Sequence, residues 1–268
     1  MHSRVEVVAD VTAEGRTVMA RVRTEGAFAA RVTGPGQVHL VGTAAGPLGG
    51  DEVDVRVVVR AGARLVLRGT AATLALPNRG GEPARLSADL QVEDGASLVQ
   101  DLPPLVVCHR ARLHAETRLT LAGSAAADLT EVVVLGRHGE HGGDWTGRLS
   151  ADRDGAAVLR ATQRSDILRL GPGSPRTILT RFVTRRAEDG WAEAVTSAGA
   201  VLCPLATGDV LITATGAAVP AVLAQAAALL ADPQSLLTSP EGPTWRSQSP
   251  GPAAPHDMTR GSSFNGNK

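Results

Sequence analysis

The densest group of side chains able to do chemistry lies in a glycine-rich stretch, residues 136–144. Two imidazoles and two carboxylates occur there within seven positions, on His138, Glu140, His141 and Asp144. Imidazole nitrogens combined with carboxylate oxygens suit a borderline divalent cation such as nickel. Four glycines in the same stretch are equally typical of a solvated turn between strands. The sequence therefore leaves two interpretations open, a metal-binding loop and a plain turn.

Glu131 is a second candidate because of its apolar surroundings. It directly precedes the run Val-Val-Val-Leu at residues 132–135, which predicts an interior strand. An unpaired carboxylate is costly in such a place. We therefore expect one of two arrangements. Either Glu131 forms an ion pair with Arg137 or another arginine, or its side chain faces a polar, water-filled space.

The remaining candidates each have a simple structural alternative. Asp51 and Asp101 are lone acids beside strand ends, where a carboxylate commonly caps a turn. Cys108 and His109 could bind a metal together with His114. Cys108, however, ends an apolar run, and a free cysteine usually behaves as a small buried residue.

Composition argues against several classes of function. The 268 residues carry 27 basic and 27 acidic side chains, so the chain has no excess charge for binding nucleic acid or an anionic membrane. Aromatic residues make up only 2%, too few for a stacking platform. The common catalytic motifs are absent from the sequence, which predicts a protein that is not an enzyme. The N-terminus has no apolar leader and no apolar run reaches membrane-spanning length, so we expect a soluble, cytoplasmic protein.

Alternating strands separated by glycine turns predict the fold. Aliphatic side chains occupy every second position, the pattern of half-buried strands, in residues 52–60, 85–93 and 112–121. A turn with a glycine follows each segment, at Gly62, Gly95 and Gly123, which are 33 and 28 residues apart. A recurrence of about 30 residues is typical of stacked arrays. We predict a mainly β, solenoid-like (β-helix-like) stack of strands, with a β-sandwich as the alternative.

The end of the chain changes character twice. Residues 219–231 are rich in helix formers and have a proline in the first turn, which predicts a helix. Its expected apolar stripe consists of Leu223, Ala226, Ala227 and Leu230. From residue 233 onward Pro, Ser and Gly dominate without periodicity, the composition of a disordered segment. We therefore predict one domain over residues 1–232 and a disordered tail over 233–268.

Five segments occur in an order and spacing that carry a family resemblance. They are residues 38–51, which end in Leu-Gly-Gly-Asp, and residues 70–73, 98–104, 129–137 and 200–205. Together with the C-terminal helix, their order resembles the urease accessory protein D family (UreD, also called UreH). The resemblance runs over roughly residues 15–231. It implies a mainly β, solenoid-like fold with two helices.

The same resemblance implies a nickel-insertion chaperone for urease. Family members bind a second, F-type accessory protein and through it a G-type GTPase, and the assembly docks on urease apoprotein. The GTPase hydrolyses the nucleotide, so this chain would hold no tightly bound cofactor and would carry nickel only transiently. Asp51, Glu131 and Glu140 match acidic positions of the family's motifs, so we expect them to line the nickel path, with His138 and His141 as transient ligands.

Two other functions compete with this interpretation. One is a carbohydrate-active enzyme built on a β-solenoid, and the other is a purely structural β scaffold. An enzyme of that kind needs aromatic platforms for sugar rings, and the low aromatic content argues against it.

Overall fold

The computed structural model describes residues 1–168, 174–184, 194–197 and 199–230. Within these residues the chain forms strands, a short 3-10 turn (Ser165–Leu168) and a single α-helix, α1 (Val219–Leu230). The strands are β1 (His2–Val11), β2 (Thr17–Glu25), β3 (Phe28–Gly34), β4 (Gln37–Gly42), β5 (Glu52–Val59), β6 (Arg64–Gly69), β7 (Thr73–Ala75), β8 (Ala84–Val92), β9 (Ser97–Asp101), β10 (Leu105–Val107), β11 (Arg112–Leu121), β12 (Ala126–Leu135), β13 (Asp144–Arg153), β14 (Ala156–Arg164), β15 (Thr177–Val183), β16 (Val195–Ser197), β17 (Ala200–Pro204) and β18 (Val210–Gly216).

The strands form two sheets, and the chain passes back and forth between them. The first sheet has the order β14-β13-β11-β8-β5-β1-β2, and the second has the order β16-β17-β18-β15-β12-β9-β6-β4-β3. The short strands β7 and β10 extend the second sheet alongside β12. From β5 to β13 each circuit of the chain adds one strand to the first sheet and one or two to the second, and each added strand runs parallel to its counterpart in the previous circuit. This arrangement confirms the predicted solenoid-like stack.

Alternation of side chains explains why the coils stack. Val57 and Val59 of β5 are fully buried, and Leu90 of β8 lies beside Val57 in register. The alternate positions point outward and carry charge, so Arg56 is next to Asp89 on the outer face. The repeated glycine turns also have a physical reason. The backbone φ is positive, a conformation that favours glycine, at Gly62, Gly95 and Gly123.

Antiparallel elements close the stack. In the first sheet β2 pairs antiparallel with β1 and β14 pairs antiparallel with β13. In the second sheet β3 pairs antiparallel with β4 at one end. At the other end β15, β18, β17 and β16 continue from β12 in antiparallel fashion. The parallel coils therefore occupy the centre of both sheets.

Helix α1 matches the predicted segment, but it packs through a different face. Val222, Ala226 and Leu229 are buried against β15, β17 and β18, whereas Leu223 is 44% exposed. The predicted stripe was therefore wrong at Leu223 and Ala227, which are exposed, whereas Ala226 is buried and Leu230 packs partly buried against the same core. The helix is apolar on nearly all sides, so its sequence period does not specify which side faces the core.

Two observations bear on the rest of the chain. Among the described residues, no helix has the length and apolar character required to cross a membrane. The predicted tail over residues 233–268 lies outside the described residues, so the boundary after residue 232 stays a prediction.

Candidate functional site

A cavity of about 130 Å³ lies between the two sheets. Its wall is mostly aliphatic and draws on two separate clusters of buried side chains, one around Leu67 and Ala88 and the other around Val133 and Trp145. Five polar side chains interrupt this wall: Thr73, Gln100, Thr117, Thr130 and Glu131. The volume is well above the roughly 10–15 Å³ that a single water molecule requires. The interior of the solenoid therefore contains a space with one carboxylate in its wall.

Glu131 faces this cavity because of its position in β12. Leu129 and Val133, two residues before and after it, are buried between the sheets, so strand alternation directs Glu131 to the same side. Thr117 of β11, in the opposite sheet, donates a hydrogen bond from its hydroxyl to Glu131 Oε1 at 2.6 Å. Among the described residues no arginine pairs with this carboxylate. Of the two arrangements expected from sequence, the ion pair with an arginine is not found within the described residues. Glu131 faces a cavity, as in the second arrangement, but the wall of that cavity is mostly aliphatic rather than polar.

The environment of Glu131 favours its protonated form. Burial raises the pKa of its carboxyl group, and the hydrogen bond from Thr117 offsets only part of that effect. A smaller void of about 10 Å³ also has Glu131 in its wall, together with Gln163, Thr180 and the exposed residue Arg148. Thr180 donates a hydrogen bond to Gln163 Oε1 at 2.9 Å. Glu131 therefore contributes to the walls of a large void and a small one.

Two further polar groups of the cavity were not singled out from the sequence. Gln100 of β9 is only 4% exposed and lies next to Leu129 in register. Trp145 of β13 is 5% exposed, and its indole N–H has no hydrogen-bond partner among the described residues. A buried donor without a partner is uncommon. No sequence signal marks either residue, because each lies in an ordinary alternating strand.

Asp51 has a structural role at the turn before β5. Its carboxylate accepts hydrogen bonds from the amino group of Met1 at 2.5 Å and from the Leu48 N–H at 2.9 Å. Burial acts to raise the pKa of Asp51, but these two hydrogen bonds and the Met1 charge hold it below its usual value. Asp51 is absent from the cavity wall. The structure thus places it apart from Glu131 and gives it the turn-capping arrangement that the sequence left open.

Glu140 is held by an arginine in the loop between β12 and β13. Arg137 donates to its carboxylate from the backbone N–H at 3.1 Å and from Nε at 2.8 Å, and also from the second guanidinium nitrogen. These bonds from Arg137 lower the pKa of Glu140 to about 2. Arg137, one of the arginines that could have paired with Glu131, pairs with Glu140.

The four candidate histidines separate into a pair and two single residues. The imidazole rings of His109 and His141 lie with their centroids 6.4 Å apart. His138 is exposed, and His114 lies on the outer face of the first sheet, next to Arg85 in register. No group of three or more histidine, cysteine or acidic side chains converges to hold a metal ion within the described part of the chain. The structure therefore brings Glu140 and His141 near His109 but keeps Asp51 and Glu131 elsewhere.

The fold and the cavity define the class of protein, a β-solenoid with a carboxylate-bearing interior. Comparison with known proteins places it more narrowly. The sequence pattern of the UreD urease accessory protein family matches residues 2–235, and the chain belongs to that family.

Individual relatives agree with this assignment. A urease accessory protein UreD of Streptomyces coelicolor is 35% identical over 232 residues, which cover 80% of this chain and 89% of that protein. UreD 1 of Saccharopolyspora erythraea is 43% identical over 173 residues, covering 61% of this chain and 65% of the relative. UreD of Frankia alni is 45% identical over 120 residues, covering 45% and 40%. The match thus spans less than two thirds of the latter two relatives.

Proposed function

We propose that this protein is a urease maturation factor that passes nickel through its interior to urease apoprotein, together with an F-type accessory protein and a G-type GTPase. Membership of the urease accessory family supports the general role. The observation that carries the nickel path is Glu131, a carboxylate in a cavity wall with a neutral hydrogen-bond donor and no cationic partner among the described residues.

A single carboxylate is suited to weak, transient binding of a metal ion rather than to tight binding. An oxygen donor binds a divalent first-row ion more weakly than thiolates or several imidazoles would. A conduit needs a site that the ion enters and also leaves. The surrounding hydroxyl and amide groups of Thr117, Thr130 and Gln100 can hydrogen-bond the waters that a partly hydrated ion retains. In this proposal nickel is the cargo, and the chain performs no covalent chemistry.

The presence of Glu131 in the interior lowers the stability of the fold, which is consistent with a functional role for this carboxylate. A carboxylate that is buried without a counter-charge destabilises the fold, and an aliphatic side chain would pack better. A passing cation would supply the missing counter-charge for as long as it stays. An arginine next to Glu131 would prevent cation binding, because it would neutralise the carboxylate permanently.

Glu131→Gln tests the path, because it keeps the volume and the acceptor for Thr117 while it removes the charge. We expect the variant to fold and to co-purify with the F-type protein and urease. Nickel loading of urease, measured as metal per active site, should fall several-fold at limiting nickel. Glu116→Gln is the matched control, since Glu116 lies in the strand of Thr117 but forms an exposed ion pair with Arg118.

The possible results separate the two roles of Glu131. Normal partner binding with reduced nickel loading supports the path. Full nickel loading in Glu131→Gln contradicts it, and so does an equal loss in Glu116→Gln. Failure of the wild-type chain to associate with the F-type protein or urease would contradict the maturation role as a whole.

A further inference from the structure

The two loops that follow β10 and β12 are fastened to each other. The N–H groups of Gly136 and Gly143 both donate to the backbone oxygen of Val107, at 2.8 Å and 3.1 Å. The Asp144 N–H donates to the backbone oxygen of Ala111 at 2.8 Å. The loop after β12 therefore begins and ends on the loop after β10, because the two strands are parallel neighbours.

A close backbone approach reinforces these bonds. A side chain at Gly143 would place its Cβ only 2.3 Å from the oxygen of Ala111 and 2.4 Å from the oxygen of Cys108. Real atoms cannot approach so closely, so the two loops fit together only because residue 143 has no side chain. Their relative position is thus set by backbone contacts rather than by flexible side chains.

This fixed contact places two imidazoles side by side. The rings of His109 and His141 have centroids 6.4 Å apart and planes inclined at 52°. Both residues are exposed, and neither ring takes part in a hydrogen bond or ion pair within the described residues. Other histidines are engaged: His2 contacts Asp54 at 2.6 Å and His39 contacts Thr33 at 2.7 Å.

Glu140 lies beside the pair without competing for a ligand. Its carboxylate is occupied by Arg137 of the same loop. A carboxylate tied up in this way supplies nearby negative charge while the two imidazoles remain open to solvent.

We propose that His109 and His141 form an exposed two-imidazole site for a hydrated divalent transition-metal ion. With a metal–nitrogen distance of about 2.1 Å, rings whose centres are 6.4 Å apart can share one ion when their nitrogens lie on opposite sides of it, as trans ligands. Nickel and copper accept neutral imidazole in such octahedral or tetragonal geometry. The chain supplies two ligands and water supplies the rest, which makes the ion exchangeable. The role of this site as the place where nickel first binds rests on the proposed function; the binding itself does not.

His138 provides a sharp control within the same loop. The sequence grouped it with Glu140 and His141, but the structure gives it no neighbouring imidazole. If the loop composition alone created the site, His138 would matter as much as His141. If the two fastened loops create it, His109 matters and His138 does not.

The test is calorimetric titration of the untagged full-length chain with nickel chloride, for the wild type, His109→Ala, His141→Ala, the double variant and His138→Ala. Loss of a metal ligand should weaken binding at this site by at least about tenfold, since even loss of a group behind a ligand costs that much. We expect each single variant to lose the site, the double variant to lose no more than either, and His138→Ala to match the wild type. Magnesium chloride should produce no binding at this site, because imidazole is a poor ligand for that ion.

Three results would overturn the proposal. These are unchanged nickel affinity in both single variants, additive losses that show two independent weak sites, or an equal loss in His138→Ala. Paramagnetic broadening of the histidine ring protons gives a second measurement, in which His109 and His141 should broaden together at the same nickel concentration. Urease activation at limiting nickel is assayed separately. Lost binding with full activation would end the role of the pair in nickel delivery and leave the function proposed through Glu131 standing.

Discussion

Glu131 and Glu140 lie nine residues apart and have opposite environments. Burial raises the pKa of Glu131, whose one hydrogen bond comes from the neutral hydroxyl of Thr117. Hydrogen bonds from Arg137 lower the pKa of Glu140 to about 2, although that residue lies on a surface loop. The interior carboxylate is the one without a permanent counter-charge, and the surface carboxylate is the one that has it. Buried charges in proteins are usually paired. Glu131 has no cationic partner among the described residues, and burial favours its neutral form instead.

The difference in environment indicates separate roles for Glu131 and Glu140. The charge of Glu140 is already satisfied by Arg137 within the same loop. Glu131 is available to a mobile cation because nothing in the described chain satisfies its charge. The two environments differ because of position in the fold. Strand β12 directs Glu131 inward and ends four residues later at Leu135, so Glu140 lies in the loop that follows.

The largest effect should come from breaking the surface region at its backbone contact. Gly143→Val would force a Cβ against two carbonyl oxygens, so the loops must separate. We expect a loss of about 3 kcal/mol in the free energy of unfolding, measured by chemical denaturation, together with loss of the proposed nickel site. Gly34→Val is the control, because the nearest atom to a Cβ there is 3.7 Å away. A loss of similar size in both variants would contradict the prediction.

A smaller effect should follow from removing the interior hydrogen bond. Thr117→Val leaves the Glu131 carboxylate with no donor in a buried place. We expect the variant to lose about 1–2 kcal/mol of unfolding free energy at neutral pH. Thr117→Ser retains the hydroxyl and should lose clearly less. If the Val and Ser variants are equally unstable, the effect comes from packing and the hydrogen bond is unimportant.

Glu131→Gln should change how stability depends on pH. The folded protein binds the proton of Glu131 more tightly than the unfolded chain does, because the folded pKa lies above the ordinary 4.5. The wild type therefore loses stability as pH rises from 4.5 through the folded pKa, and the Gln variant does not. We expect the variant to melt higher by about 2–4 °C above neutral pH, equivalent to about 1 kcal/mol in a chain of this size. The advantage should disappear in acid, and a constant difference across the pH range would contradict this account.

The smallest effect should come from Glu140→Gln. The folded pKa of Glu140, about 2, lies below its ordinary value of 4.5, so its ion pair stabilises the wild type above pH 4.5 and is lost as pH falls toward 2. The pair is exposed and screened by solvent, so we expect only a slight fall in melting temperature at neutral pH. Added salt at about 1 M should abolish that difference. A large fall that persists in salt would mean that Glu140 holds the loops by more than charge.

Much of the fold could be predicted because alternation and spacing act locally. The strand predicted at residues 112–121 is β11, and those predicted at 52–60 and 85–93 differ from β5 and β8 by one residue at most at each end. Turn glycines at regular intervals indicated the stacking, since each coil repeats the same local geometry. Helix α1 shows the limit, because an alanine-rich helix has almost no polar side to orient it.

The candidate site depended on contacts that no local pattern records. Glu131 appeared as an anomaly in an apolar strand, but its partner Thr117 lies in the opposite sheet. The pairing of His109 with His141 follows from the parallel register of Val107 with Leu135, which joins two loops that are separate in sequence. The composition of the loop after β12 suggested a metal-binding site that includes His138. In the structure the ring next to His141 is that of His109, which lies in the loop after β10.

The antiparallel closure of the stack has a consequence for assembly. A stack of parallel coils that ended in an uncovered edge strand would present unpaired backbone N–H and C=O groups. Strands of other molecules could pair with these groups, as in a growing fibril. The first sheet ends instead in β2 and β14, which fold back on their neighbours and carry exposed arginines at Arg21, Arg23, Arg160 and Arg164. Three of these arginines form ion pairs with acids, on Glu6, Asp152 and Asp166. Charged side chains along an edge oppose the addition of a further strand because they would lose their contact with water. The two hairpins that border the repeating core therefore oppose the addition of further strands at both edges of the first sheet.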